Sequence, residues 1–137
     1  MHEDDLFIQQ FENCTFPLAE MHHRPHVKLA YLYAVRHGRE VAAQKLRDGI
    51  RAFNAHNQIE DAPTSGYHET MTMAWLHIIW TTIQVYGPKA TADEFFDSQP
   101  QLSQKKILRL FYSPEVFMSA KAKREFVEPD LAPLPKK

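Results

Sequence analysis

Pro25-His26-Val27-Lys28-Leu29-Ala30-Tyr31-Leu32-Tyr33-Ala34-Val35 decides the fold class. Proline is favoured at the first helical position, where the amide hydrogen it lacks would be unpaired anyway. The run behind it is apolar almost all the way round, the pattern of a helix at the centre of a bundle. Gly38 ends it. The residue before a proline avoids the helical region, which places Arg24, with His22 and His23 ahead of it, in the loop leading in.

Working outward, Arg39 to His56 is a second helix of another kind. Ala42, Leu46, Gly49, Ile50 and Phe53 form one stripe, and Arg39, Glu40, Gln44, Arg47, Asp48 and Arg51 face water. Residues 57–66 read as loop, with Ser65 as the N-cap of a third helix over about Gly66 to Tyr86. Met71, Trp75, Leu76, Ile78, Ile79, Trp80 and Ile83 make that helix the second central one, and Gly87-Pro88 stops it. Further on, Thr91-Ala-Asp-Glu94 is a capping box, Pro100 opens a helix carrying Ile107 to Phe111, and Ser113 and Ser119 cap short turns. Residues 1–17 read as a lead-in with one helical turn around Leu6 to Phe11, and 127–137 as an extended, proline-rich tail. The expectation is one all-α domain over 1–137, three principal helices with short C-terminal helices packed against them.

Composition narrows the function classes. With 44% apolar residues the chain has material for a core. A net charge of -1, with 16 basic side chains spread along the chain, lacks the basic stripe of a nucleic-acid binder. Met73 to Val85 is too short and too interrupted for a membrane span, and the acidic start Met1-His2-Glu3-Asp4-Asp5 is unlike a secretory signal, so the expected compartment is the cytoplasm. Cys14 is the one cysteine, which rules out an internal disulfide; nothing in its neighbourhood would activate it as a nucleophile.

The eight histidines need more explanation than a core provides. The first two helices, about 20 and 25 Å long at 1.5 Å per residue, are joined by little more than Gly38 and should run antiparallel. A ten-residue loop then returns the chain into the third helix, so the first and third run parallel and begin at the same end. His22, His23 and His26 sit at one of those starts, and Tyr67, His68, Glu69 and Thr72 at the other. Helix starts disfavour protonated imidazole, and neutral imidazole binds divalent transition metals such as Zn²⁺, Fe²⁺, Ni²⁺ or Cu²⁺.

The leading expectation is therefore a metal-dependent enzyme acting on a small molecule. Its ligands would be His23, His26 and His68, with His22 in reserve. His68 and Glu69 would do acid–base work, and Arg24, Tyr67 and Thr72 would be pocket neighbours under a lid formed by 57–66. Two other readings use the same sequence. One is a metal-free pocket for a small anion held by Arg24, His26 and His68; the other is a protein interaction module. His37 is explained by its helix C-terminus, His77 by a satisfied place in a core or groove, and Arg47 and Arg51 by a solvated face.

The strings His22-His-Arg-Pro-His-Val-Lys-Leu-Ala30, Tyr67-His-Glu-Thr-Met-Thr72, Tyr112-Ser-Pro-Glu115 and Phe126-Val-Glu-Pro-Asp130 resemble a family of small bacterial all-α proteins to which no activity is attached. The resemblance implies a bacterial origin and no chemistry. The DinB-like bundles also hold a metal through three histidines on neighbouring helices, but their helix order and histidine spacing differ from those here.

Overall fold

In the computed structural model, which describes residues 2–136, seven α-helices and three 3-10 turns follow one another without a strand among those residues. The first helix, α1 (Glu3–Glu12), is a full element rather than a lead-in. The His2 ring accepts a hydrogen bond from the Asp4 amide (3.1 Å), and Glu3, Asp4 and Asp5 place negative charge in the first turn, where the helix dipole favours it. Phe7 and Phe11 are buried, so α1 belongs to the core.

The bundle proper is α2 (His23–His37), α3 (Arg39–His56) and α4 (Glu69–Tyr86). Gly38, at φ +84°, ends α2 with its N–H on the Ala34 carbonyl (2.9 Å), a conformation that side chains with a Cβ rarely adopt. One joint residue leaves α3 no course but back along α2. Gly87 ends α4 in the same way, at φ +83°. Val27, Leu29 and Ala30 through Ala34 of α2 and Ala74, Leu76, Ile78, Ile79 and Ile83 of α4 are buried, whereas α3 buries only Ala42, Leu46 and Phe53. Two all-round apolar helices and one amphipathic helix thus take the places their patterns predict.

Helix α1 lies across α3 at a position the sequence marks with a glycine. A Cβ on Gly49 would stand 2.8 Å from Cε2 of Phe11, and the Phe11 ring stacks on Phe53 (5.4 Å between centroids). Alanine favours a helix over glycine by about 1 kcal/mol, but overpacking a core costs about 1–3 kcal/mol. Gly49→Ala should therefore lose about 1 kcal/mol net in a urea titration, and a gain in stability would show that α1 is not seated this closely.

The short C-terminal elements close the bundle: α5 (Ala92–Ser98), 3-10 turns at Pro100–Ser103 and Ile107–Leu110, α6 (Pro114–Phe117) and α7 (Ala120–Arg124). Thr91, Ser113 and Ser119 cap α5, α6 and α7 through their hydroxyls, as their sequence positions suggest. The buried carboxylate of Asp4 accepts from the Ala92 amide (3.0 Å), so α1 supplies a second cap to α5. The helix expected from Pro100 through Phe111 is instead two separate 3-10 turns.

The tail is extended and strapped to α4. The Val127 amide donates to Thr70 Oγ1 (3.1 Å), the Tyr112 hydroxyl to the Val127 carbonyl (2.7 Å), and His77 Nε2 to the Pro135 carbonyl (2.7 Å). Arg39 donates to the other His77 nitrogen (2.8 Å), so this groove histidine is satisfied on both sides. Among the described residues, no helix is long and apolar enough to cross a membrane.

Candidate functional site

The starts of α2 and α4 do share one end of the bundle. They flank a cavity of about 450 Å³, with the far half of α3 as its floor. From α2 and the segment before it come Met21, His22, His23, His26, Val27 and Ala30; from α3, Leu46, Ile50 and Asn54. Gly66, Tyr67, His68, Met71, Thr72, Trp75 and Ile79 line the α4 side, and Lys105 reaches the wall from between the two 3-10 turns. The recurrence at 68, 71, 72, 75 and 79 is one face of a helix, and 22, 23, 26, 27 and 30 is the matching face of α2.

Six of the expected site residues therefore meet: His22, His23, His26, Tyr67, His68 and Thr72. Glu69 and Arg24 are not on the wall. Neither do the imidazoles converge as ligands. Among the described residues, no group of three or more His, Cys, Asp or Glu side chains is arranged to hold a metal ion. The expectation of a metal-dependent enzyme with a divalent Zn, Fe, Ni or Cu ion on His22, His23, His26 and His68 is corrected by that finding.

The reasons lie in what each ring is bonded to. His68, not Ser65, is the N-cap of α4. Its Nδ1 accepts from the Met71 amide (3.0 Å), its Nε2 donates to the Phe117 carbonyl (2.9 Å), and its ring stacks on Phe117 (4.6 Å). Both ring nitrogens are used, and the tautomer with its proton on Nε2 serves both bonds. His23 lies in the first turn of α2 rather than in a loop. It donates from Nε2 to the Leu102 carbonyl (2.6 Å) and sets its ring edge-on to Trp75 (4.8 Å). His22 is exposed and caps α2 without a side-chain bond. His26, like His22, lines the cavity with no hydrogen bond to its ring among the described residues, and of the two it is the one that burial keeps neutral.

Glu69, expected as the acid–base group, is buried away from the cavity in a closed cluster. Arg47 grips it with two bonds, Nε to Oε1 (3.0 Å) and a terminal nitrogen to Oε2 (2.6 Å), and the Tyr67 hydroxyl donates to Oε1 (2.6 Å). Burial pushes this carboxyl up, but the bonds from Arg47 and Tyr67 and the charges of Arg47 and Arg51 outweigh it and hold it below its ordinary value. Burial and the bond to Glu69 push the Tyr67 phenol far up. A carboxylate this fully paired moves no proton for a ligand, and Arg47, read from sequence as a solvated residue, is its structural partner. Arg24 turns outward to α5, where it pairs with Asp93 (2.8 Å) and Asp97 (3.0 Å) and lies over Phe96 (4.7 Å).

The anion reading loses its donors by the same route. Arg24 is neutralised by two aspartates, His68 is spent on a cap and a carbonyl, and His26 carries no charge near neutral pH. Desolvation, followed by the charges of His23 and His22, lowers His26 from its ordinary 6.5 to about 4. The residue is exposed by area, yet crowded. Both facts hold because the residue lines a cavity whose walls stand close around it.

The supposed lid is folded aside. Ala62 and Ser65 bridge each other, the Ser65 hydroxyl donates to the Glu60 carbonyl (2.8 Å), and of residues 57–66 only Gly66 touches the cavity wall. The tail does not reach the wall either. Sequence reasoning missed Lys105, Met21 and Asn54. It also took Trp75 for plain core, although the seven-residue step from His68 puts both on one helical face.

His68→Ala should lower stability by about 2 kcal/mol, one part for the cap and one for the carbonyl bond. His68→Asn, which can still cap, should recover about half. Desolvation, the largest influence, pushes His68 below its ordinary value, against bonding that raises it, so its contribution is complete above pH 6.5 and is lost as pH falls. A urea series from pH 8 to pH 5 on the two variants checks both statements.

No protein family, curated protein or solved structure matches this chain. The bacterial origin implied by the resemblance gains no support from them.

Proposed function

We propose that this protein binds a small, uncharged and largely apolar molecule in the cavity between α2, α3 and α4, and that His26 reads one polar group of it. The observation that carries the reading is the combination at one place. The cavity, about 450 Å³, is within the range of small-molecule sites; its wall is mostly aliphatic and aromatic, and the neutral His26 imidazole on it lacks a protein partner. A neutral imidazole offers one donor and one acceptor, so it suits a hydroxyl or a carbonyl equally. The wall carries no carboxylate, and its single ammonium, on Lys105, belongs to an exposed residue whose charge water screens.

Met21 and Met71 stand on the wall, and Met73 and Met118 do not, so their methyl groups make an internal comparison. Benzyl alcohol, titrated into protein labelled at the methionine methyls, should shift Met21 and Met71 saturably and leave Met73 and Met118 in place. His26→Leu should weaken benzyl alcohol by about tenfold, near the worth of one hydrogen bond, and leave toluene unaffected. Benzoate binding more tightly than benzyl alcohol would overturn the uncharged ligand. Methyl shifts spread over all four methionines would remove the site.

A pH dependence follows from His26. Its folded value, about 4, lies below the ordinary 6.5, so the neutral ring contributes stability that is complete above pH 6.5 and lost as pH falls toward 4. His26→Leu should flatten that part of the stability curve, and benzyl alcohol should bind progressively more weakly across the same interval.

A further inference from the structure

Behind the Tyr67 wall lies a second cleft, of about 380 Å³, that shares Asn54, Gly66 and Tyr67 with the first and has different chemistry. Arg51 comes to it from α3, and Lys123 and Arg124 come from α7, more than seventy residues further along the chain. We propose that this cleft is a binding site for a phosphate group, independent of whatever fills the neighbouring cavity.

The argument is one of unspent donors. The Arg51 guanidinium lies over the Tyr67 ring, 4.8 Å from its centroid. A guanidinium held by a ring in this way keeps its N–H donors for another partner, and among the described residues the Arg51 side chain makes no hydrogen bond. Among the described residues, neither Arg51 nor Arg124 has a carboxylate partner. The one acid on the wall, Asp61, is already paired with Lys123, whose ammonium also donates to the Tyr67 carbonyl (2.7 Å). Lys123 and Asp61 cancel each other and fix the loop to α7. Glu69 is held by two bonds from Arg47 and one from the Tyr67 hydroxyl, and Arg51 acts on it only through its charge, without a hydrogen bond. What remains is the charge of two guanidiniums facing one concave surface. Forked N–H donors match a tetrahedral oxyanion in geometry as well as in charge, and a dianion meets both arginines where a monovalent halide cannot.

The phosphate could be free or carried by a small organic molecule, and the experiment separates the two. Inorganic phosphate and glycerol 3-phosphate are each titrated into the full chain, against sodium chloride of equal ionic strength, with the Nε–H signals of Arg51 and Arg124 as the readout. The expected result is a saturable shift of both signals with at least one of the two phosphates, the tighter naming the source. Arg51→Gln and Arg124→Gln should each weaken binding at least tenfold. Arg124 is exposed, so its variant tests the site without touching the Tyr67 stack. Met21 and Met71 methyl signals should stay still throughout, which keeps this result separate from the cavity. Shifts no larger than those with chloride, or both variants binding as the parent chain does, would overturn the site.

Discussion

Glu69→Ala is expected to cost about 3 kcal/mol of folding stability, the lower end of what removing one partner of a buried pair does. The lower end applies because Arg47 keeps 28% of its side-chain area exposed while Glu69 keeps 10%, so water recovers part of the orphaned guanidinium. The Tyr67 hydroxyl also loses its acceptor, with its ring still enclosed. Glu69→Gln, which retains an acceptor but no charge, should fall between the two. Replacing both members of the pair with Arg47→Met and Glu69→Leu should recover most of the loss, since well-packed apolar groups can substitute for a buried pair. The pH signature is specific. The carboxyl is held below its ordinary 4.5, so its contribution is full above that value and disappears as pH falls through the lowered one. Urea midpoints measured from pH 7 to pH 3 should converge between parent and Glu69→Gln at the acid end. A Glu69→Ala protein as stable as its parent at pH 7 would mean that the cluster does not tie α3 to α4.

Phe11→Ala is expected to cost about 3–5 kcal/mol, the usual penalty for emptying an aromatic position in a packed interior. The ring is 1% exposed, stacks on Phe53 and fills the gap left by the missing side chain of Gly49. Its loss should also free α1 locally, because Phe7 is then its one fully buried apolar anchor and its remaining ties are mostly polar: Asp4 to the Ala92 amide, Glu12 to the Tyr33 hydroxyl (2.6 Å) and Asp5 to Arg36 (2.7 Å). Hydrogen exchange should accelerate along Glu3–Glu12 more than along α4. Leu6→Ala on the outer face of the same helix, where the side chain is 43% exposed, should change stability by no more than about 0.5 kcal/mol. Equal effects at the two positions would show that Phe11 does not anchor α1 in the core.

The mistake over α1 is instructive. A ten-residue helix with only two buried aromatics shows little periodicity, and what makes Phe11 a core residue is Gly49, on another helix. Helix class and direction were legible because their causes are local. Gly38 and Gly87 stop helices by their own backbone freedom, Thr91, Ser113 and Ser119 cap amides three residues away, and a one-residue joint forces a reversal. From these the shared end of α2 and α4 follows, and with it the gathering of His22, His23, His26, Tyr67, His68 and Thr72 around one cavity.

The roles of those residues were not legible. Whether an imidazole is a ligand, a cap or a free donor depends on which polar group stands 3 Å from it. For His23 that group is the Leu102 carbonyl and for His68 the Phe117 carbonyl, 79 and 49 residues away. Arg47 meets Glu69, and Arg51 meets Tyr67, only because α3 and α4 pack at one rotation about their axes. The order of residues determined which rods form and which way they run, through interactions within four residues along the chain. Packing alone decided which side chains were consumed in holding those rods together and which, like His26, were left facing open space.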